Sequence, residues 1–287
     1  MTYYDQTFEP YKIVDGKCVV ADESELKRIN RINRSAYSDY LDWVEIGGER
    51  PPRPIIKVPT DIFEDVEGGV FDSEFRHLFD LESEAIRPRD LLARFFQTVD
   101  STPYVDYLIV TQHPELVRDK LPVRTGEHPC IKGIDCNRHD DFSRSNVILA
   151  TYVETQNDIE RLVTELASCH DLCKGLAVIC NPREELDFRA IKSPMNDTEN
   201  EFIDALEGQE YYGHSDEVFS QCPAINLLVA EGNEHPIHPQ WLRSLRDQCK
   251  DVVPFNFAGW GRWAPVYDPG DFLGAALNDE HLSLIHI

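Results

Sequence analysis

Short apolar runs alternate with segments of helical period along most of this 287-residue chain. The runs at 54–59 (PIIKVP), 107–112 (YLIVTQ), 146–153 (NVILATYV), 176–181 (LAVICN), 224–230 (AINLLVA) and 253–257 (VPFNF) are mostly apolar at successive positions. That pattern marks strands covered by helices on both faces, because a half-exposed strand alternates apolar with polar. Between the runs lie helical segments at 89–98, 114–121, 155–169, 197–206 and 238–250. In 155–169 the residues Ile159, Leu162, Val163 and Leu166 form one stripe, and Thr155 with Asp158 has capping-box spacing. Residues 1–53 are less regular, with one helix expected over 24–42 and a Gly/Pro break at 47–52.

Six strands joined by helical crossovers define an α/β protein of mostly parallel strands. The pattern fits a TIM-like partial (β/α) barrel or a doubly wound sheet, and in both the functional groups gather at the carboxyl ends of the strands. No linker rich in Pro, Ser or Gly interrupts it after residue 54. One unit over 54–281 is therefore expected, preceded by the irregular segment 1–53. The apolar, aperiodic residues 282–287 (LSLIHI) read as a non-native tail, similar to a translated sequencing adapter.

Charge narrows the function. The chain carries 52 acidic against 28 basic residues, a net charge of −24. Such a chain repels phosphate, which argues against nonspecific nucleic-acid binding. Its 19 arginines and 9 lysines make a lysine-poor acidic surface, suited to a saline habitat as well as to an ordinary cytosol. No apolar run reaches the roughly 20 residues that span a bilayer, and the first residues show neither basic flank nor apolar stretch. A cytoplasmic location and no membrane partner are expected. Eight cysteines at irregular spacing read as buried thiols.

Several phrases carry a resemblance. Ile237-His-Pro-Gln-Trp-Leu-Arg-Ser-Leu-Arg-Asp-Gln-Cys-Lys250 is followed by Val253-Pro-Phe255 and Trp260-Gly-Arg-Trp263. Upstream stand Thr7-Phe-Glu-Pro10, Asp61-Ile-Phe63, Val110-Thr-Gln-His-Pro-Glu115 and Asn146-Val-Ile-Leu-Ala-Thr-Tyr-Val-Glu-Thr-Gln156. In this order they resemble a phage-associated, radical-SAM-like family of unknown function, whose members carry T-W-N-P, S-D-L-F, L-T-K-R-P-E, N-V-W-L-G-V-S-V-E-N-Q and an H-P-W-x-R-S-L-R-D-Q-C helix. The resemblance implies a radical-SAM-like partial barrel, a [4Fe–4S] cluster and S-adenosylmethionine.

The departures remove the cluster. It needs three thiolates from one short loop, which leave one iron open. Here the corresponding stretch offers Cys18, and the next cysteine is Cys130. The family's C-E-P-L becomes Cys180-Asn-Pro182, its K-R becomes Gln112-His113, and its G-G-E-S becomes Ala230-Glu-Gly-Asn233. The expectation is a degenerate radical-SAM-like protein, without cofactor, that binds a small molecule or a protein as an accessory. The alternatives are an enzyme working through strand-end carboxylates, or a radical-SAM enzyme with distant cluster ligands.

Polar residues at the strand ends are the candidate ligand-binding set: Asp61, His113, Glu154, Gln156, Asn181 and Glu231, with Thr111 and Gln112 beside them. Capping or satisfying loop backbone is the stronger reading for Thr111, Gln156 and Asn181. Glu154 is the best functional candidate, since it follows a buried strand and matches a family phrase. A capping or solvated carboxylate is its equal alternative. His128, Cys130, Cys136 and His139 place four soft ligands in one segment. Their spacing lacks the two-residue Cys–Cys step of zinc sites, so no metal is expected. Cys169 and Cys173 read as core thiols. Trp260, Trp263, Phe255 and Phe257 read as packing, with base stacking as the alternative.

Overall fold

Apolar side chains at consecutive positions demand cover on both faces, and the strands obtain it. The computed structural model describes residues 4–14, 17–21, 23–64, 88–122, 143–193, 201–213, 217–232, 235 and 237–260. In chain order these form β1 (Gln6–Thr7), β2 (Tyr11–Val14), β3 (Lys17–Val20), α1 (Glu23–Ile46), β4 (Ile55–Val58), α2 (Pro88–Ser101), β5 (Asp106–Val110), α3 (Pro114–Lys120) and β6 (Arg144–Val153). Then come α4 (Gln156–Asp158), α5 (Thr164–Ala167), β7 (Cys173–Cys180), β8 (Ile191–Lys192), β9 (Glu201–Asp204), β10 (Gln209–Tyr212), β11 (Glu217–Gln221), β12 (Leu227–Glu231), α6 (Pro239–Cys249) and β13 (Phe255–Gly259).

Among the described residues, hydrogen bonding orders seven strands as β1-β4-β5-β6-β7-β12-β13. The pairs β1–β4, β4–β5, β7–β12 and β12–β13 are parallel. The order follows the chain without reversal, as in a partial (β/α) barrel. A doubly wound sheet would reverse it at a switch point. All six expected strands lie in this one sheet. The seventh, β1, comes from the N-terminal segment and pairs Gln6 with Ile56 and Thr7 with Lys57. Two residues are too few for a hydrophobic run to announce. No helix among the described residues is long and apolar enough to cross a membrane. Residues 65–87, 123–142 and 261–287, including the segment 128–139, Trp263 and the tail 282–287, lie outside the described residues.

The chain divides into two compact units, with β6 contributing to both. The first holds the described residues of 4–148 and 171–174. Its core gathers Phe8, Phe63, Phe95, Phe96 and Tyr107, with ring centroids 5.0 to 6.2 Å apart along the cluster. The Tyr107 hydroxyl meets the Thr102 hydroxyl at 2.6 Å, and burial raises its pKa to about 12. α1 runs to a stop at Gly47 and Gly48, whose φ of 82° and 103° suit only glycine well. At the foot of β6, Arg144 is 1% exposed. Its guanidinium meets both Asp100 carboxylate oxygens at 2.9 and 3.2 Å and the Pro122 carbonyl at 3.0 Å. The same group lies 4.5 Å from the Phe96 ring centroid.

The second unit holds the described residues of 149–170 and from 175 on. Thr155 and Asp158 form the expected capping box, and Ile159, Leu162, Val163 and Leu166 are buried as one stripe. A π-helical turn over Ile159–Val163 joins α4 to α5. Alongside the parallel strands stands an antiparallel sheet in the order β11-β10-β9-β8. It corrects the helix expected over 197–206. Glu201–Asp204 pairs with β10 in register Phe202 to Tyr211, whose rings stack at 5.8 Å. The Asp204 carboxylate then accepts from the N–H groups of Leu206 and Glu207 at 2.9 Å, turning the chain. Phe202, Ile203, Ala205 and Leu206 mimic a helical stripe, but the short strand and Asx turn use them differently.

A buried ion pair that loses one partner leaves an uncompensated charge, at a cost of about 3–5 kcal/mol. Asp100→Ala should therefore lose about that much unfolding free energy. The joint change Asp100→Leu with Arg144→Met should lose clearly less. Urea denaturation of both variants checks this, and equal losses would refute the charge argument.

Candidate functional site

The carboxyl ends of the strands were expected to gather the functional groups, and each unit supplies its own set. In the first unit, Asp61 follows β4. Its carboxylate accepts from the Thr111 hydroxyl at 2.9 and 3.0 Å, from the Gln112 N–H at 2.6 Å and from the Phe63 N–H at 3.1 Å. Three donors thus hold Asp61, the single Thr111 hydroxyl lying within reach of both its oxygens, and they tie the ends of β4 and β5 together. Thr111 also accepts from the His113 N–H at 2.9 Å. His113 opens α3 with its ring at the surface, and its Nδ1 meets Glu115 Oε1 at 3.0 Å. This set holds the scaffold.

In the second unit, Glu154 follows β6 and its carboxylate meets Arg183 Nε at 2.6 Å. Both side chains are a third to a half exposed, so the pair is worth at most about 1 kcal/mol. Gln156 closes a two-point clasp on the backbone of Asp187, donating to its carbonyl at 2.9 Å and accepting from its N–H at 2.8 Å. The capping or loop-supporting alternative describes Gln156 well, and Thr111 too.

Asn181 departs from that pattern. It follows β7, is 3% exposed, and its N–H donates to the Val153 carbonyl at 3.0 Å. Neither its side-chain oxygen nor its nitrogen has a hydrogen-bond partner. An unpaired buried polar group costs about 1–3 kcal/mol, so an idle carboxamide calls for an explanation. Cys180 stands in register with Ala230, which brings Asn181 beside Glu231 at the end of β12. Neighbouring parallel strands run about 4.8 Å apart with in-register side chains on one face. Side chains alternate along a strand, so Asn181, one residue on from Cys180, faces the other side of the sheet.

Tyr152 completes the cluster. Its hydroxyl donates to Glu231 Oε1 at 2.8 Å. β7 lies between β6 and β12, so this bond arches over the end of β7, where Asn181 sits. Both bridge residues are half-buried. The Thr151 hydroxyl is also buried without a partner, but by strand alternation it faces away from Tyr152. The sequence reading included Asn181 and Glu231 and missed Tyr152, which sits inside a run of apolar residues and reads there as core.

A concavity of about 410 Å³ lies in the same unit, lined by Val163, Ile191, Ile203 and Ala205 with Glu165 and Glu210. It contains none of the expected residues. No three His, Cys, Asp or Glu side chains converge as a metal-binding group among the described residues. The candidate ligands His128, Cys130, Cys136 and His139 lie outside them, as does the side chain of Cys18. Phe257 and Trp260 pack edge to face at 5.0 Å, and Trp260 is buried.

The family described as "Protein of unknown function (DUF5131)" matches residues 72–281, well over half the chain. The chain belongs to that family. No curated protein and no solved structure matches it. Family membership thus places the strands from β5 onward, and the Tyr152–Asn181–Glu231 cluster with them, inside a shared domain with no assigned chemistry.

The described thiols bear on that chemistry, because the thiolate is the form that ligates metals. Burial, and then Cys249, push Cys180 well above the usual thiol range, while burial raises Cys249 to about 12. Both thiols should therefore resist maleimide in the folded protein at neutral pH and react fully in urea. Mass mapping of the labelled peptides checks this, and rapid labelling of Cys180 in native protein would refute it.

Proposed function

We propose that this DUF5131 protein is a degenerate radical-SAM-like protein, of phage or prophage association, that lacks the [4Fe–4S] cluster. It binds a small polar molecule at the carboxyl ends of β6, β7 and β12, as an accessory and not as a radical enzyme. The observation that carries the binding role is the Asn181 carboxamide, which is buried with both polar atoms unpaired beside the Tyr152–Glu231 bridge. A ligand that hydrogen-bonds it recovers the energy its burial costs. The cluster-free reading rests on cysteine spacing, since Cys18 stands alone in the stretch that would ligate iron.

Two measurements test the two halves. Anaerobic reconstitution with iron and sulfide should leave the protein colourless and unable to cleave S-adenosylmethionine. A brown protein whose colour is lost in Cys18→Ala would show that the cluster chemistry survives. For the binding role, Asn181→Leu keeps the branched shape and removes the unpaired groups. The ligand-free variant should melt higher, by about 2–4 °C for each kcal/mol gained. A lower melting temperature would show that the carboxamide serves the fold.

A further inference from the structure

Three strands of the antiparallel sheet set one row of side chains against the concavity of the second unit. Ile191 of β8 pairs with Ile203 of β9, and Ile203 pairs with Glu210 of β10. Paired positions share a face of the sheet, so a carboxylate stands in line with two isoleucines. Phe202 and Tyr211, one residue along, stack on the opposite face. All three members of the row line the concavity, to which the helical segment contributes Val163 and Ala167. Its volume of about 410 Å³ falls within the range of about 300–1,000 Å³ that small-molecule sites occupy. The π-helical turn over Ile159–Val163 ends at this wall, and such turns are frequent at functional sites.

Glu210 is half-buried, and among the described residues its carboxylate meets neither a hydrogen-bond donor nor a cation. The apolar row beside it thins the hydration of that charge without replacing it. Glu165 also lines the concavity, and among the described residues no lysine or arginine does. His170, another lining residue, donates from Nδ1 to the Ala167 carbonyl at 3.2 Å. The Cys222 thiol, also in the lining, is pushed up to about 11, by burial first and then by the charges of Glu210 and Asp204. We propose that the concavity binds an aliphatic primary amine, with its ammonium on Glu210 and its alkyl chain along Ile191 and Ile203. This site is separate from the Tyr152–Asn181–Glu231 cluster and does not depend on it. A metal ion fits poorly, since it needs several oxygen ligands and no three His, Cys, Asp or Glu side chains converge among the described residues. A quaternary ammonium favours an aromatic cage, and no phenyl, phenol or indole ring among the described residues lines this concavity. A primary ammonium brings three donors to a carboxylate that lacks one.

Isothermal titration of the full-length chain with the linear amines from ethylamine to hexylamine, at physiological salt, tests this. Affinity should rise about three- to fourfold for each methylene that reaches the isoleucine row. Butanol and butyltrimethylammonium should each bind about tenfold or more weakly than butylamine, one lacking the charge and the other the N–H donors. Glu210→Gln should weaken butylamine by about tenfold or more, the loss expected for a hydrogen bond to a charged group. Asp119→Asn removes one exposed carboxylate in the first unit and should leave binding unchanged. Ala167→Phe fills the concavity from its helical wall and should abolish binding while the protein still melts cooperatively. Should that variant fail to fold, Glu210→Gln decides alone, since among the described residues its carboxylate holds nothing in place. Three results overturn the proposal. They are an affinity indifferent to chain length, equal losses in Asp119→Asn and Glu210→Gln, which would mark attraction to the net charge of −24, and undiminished binding to Ala167→Phe.

Discussion

A strand buried on both faces cannot carry an unpartnered polar side chain without loss, and most of this molecule's organisation follows from that constraint. All five residues of β5 are buried, as are the last five of β7. Polar groups are displaced to the ends of such strands, where neighbours can satisfy them. At the amino ends the satisfaction is thorough. Asp106 is held by Arg53 at 3.3 Å and by Lys174. Arg144 is held by Asp100, and the Asn146 amide donates to the carbonyls of Val99 and Thr102 at 3.0 and 3.4 Å. At the carboxyl ends Asp61 and Thr111 satisfy each other. Against that background one buried carboxamide without hydrogen-bond partners stands out.

The same constraint decided what the sequence could reveal. Continuous apolar runs marked the six long strands, because parallel strands need cover on both faces and have no polar face to show. It also explains what stayed hidden. β1 is two residues long and held mainly by backbone hydrogen bonds to β4, which no side-chain pattern records. The antiparallel sheet β8–β11 is half-exposed along β10 and largely exposed along β11. Its strands are four or five residues at most, so their alternation is too brief to outweigh the chance helical spacing of Phe202, Ile203 and Leu206. Pairing partners made the difference there: the stack of Phe202 on Tyr211 is a contact between strands and leaves no trace in a local window.

The site was legible by position and not by role. Strand-end placement pointed to Asp61, His113, Glu154, Gln156, Asn181 and Glu231 together. Sorting them required knowing which already had partners. Glu154, favoured from the sequence, is engaged by Arg183, an interaction set by a loop after β7. Asn181, expected to support loop backbone, donates its own N–H to Val153 but gives no side-chain bond at all. Tyr152 could not be singled out, since a tyrosine among Leu149, Ala150, Thr151 and Val153 looks like any large core residue. Its distinction lies in the hydroxyl that reaches across β7, and that reach is a property of strand order.

The phrase around Asn181 sharpens the physical question. The chain carries Cys180-Asn-Pro182 at the end of β7. A carboxylate at a position 3% exposed would need a cation or several donors to offset its desolvation. An amide needs no cation, and it presents a donor and an acceptor without a charge. Had the position only to fill space, a leucine or valine would have done so with no unpaired atoms and a more favourable transfer from water. Proline at 182 restricts Asn181 to an extended backbone, which continues the strand's alternation and holds the side chain on the face of Glu231 and Tyr152. Polarity without charge, on a backbone whose direction is fixed, is what sets this position apart from the apolar residues before it.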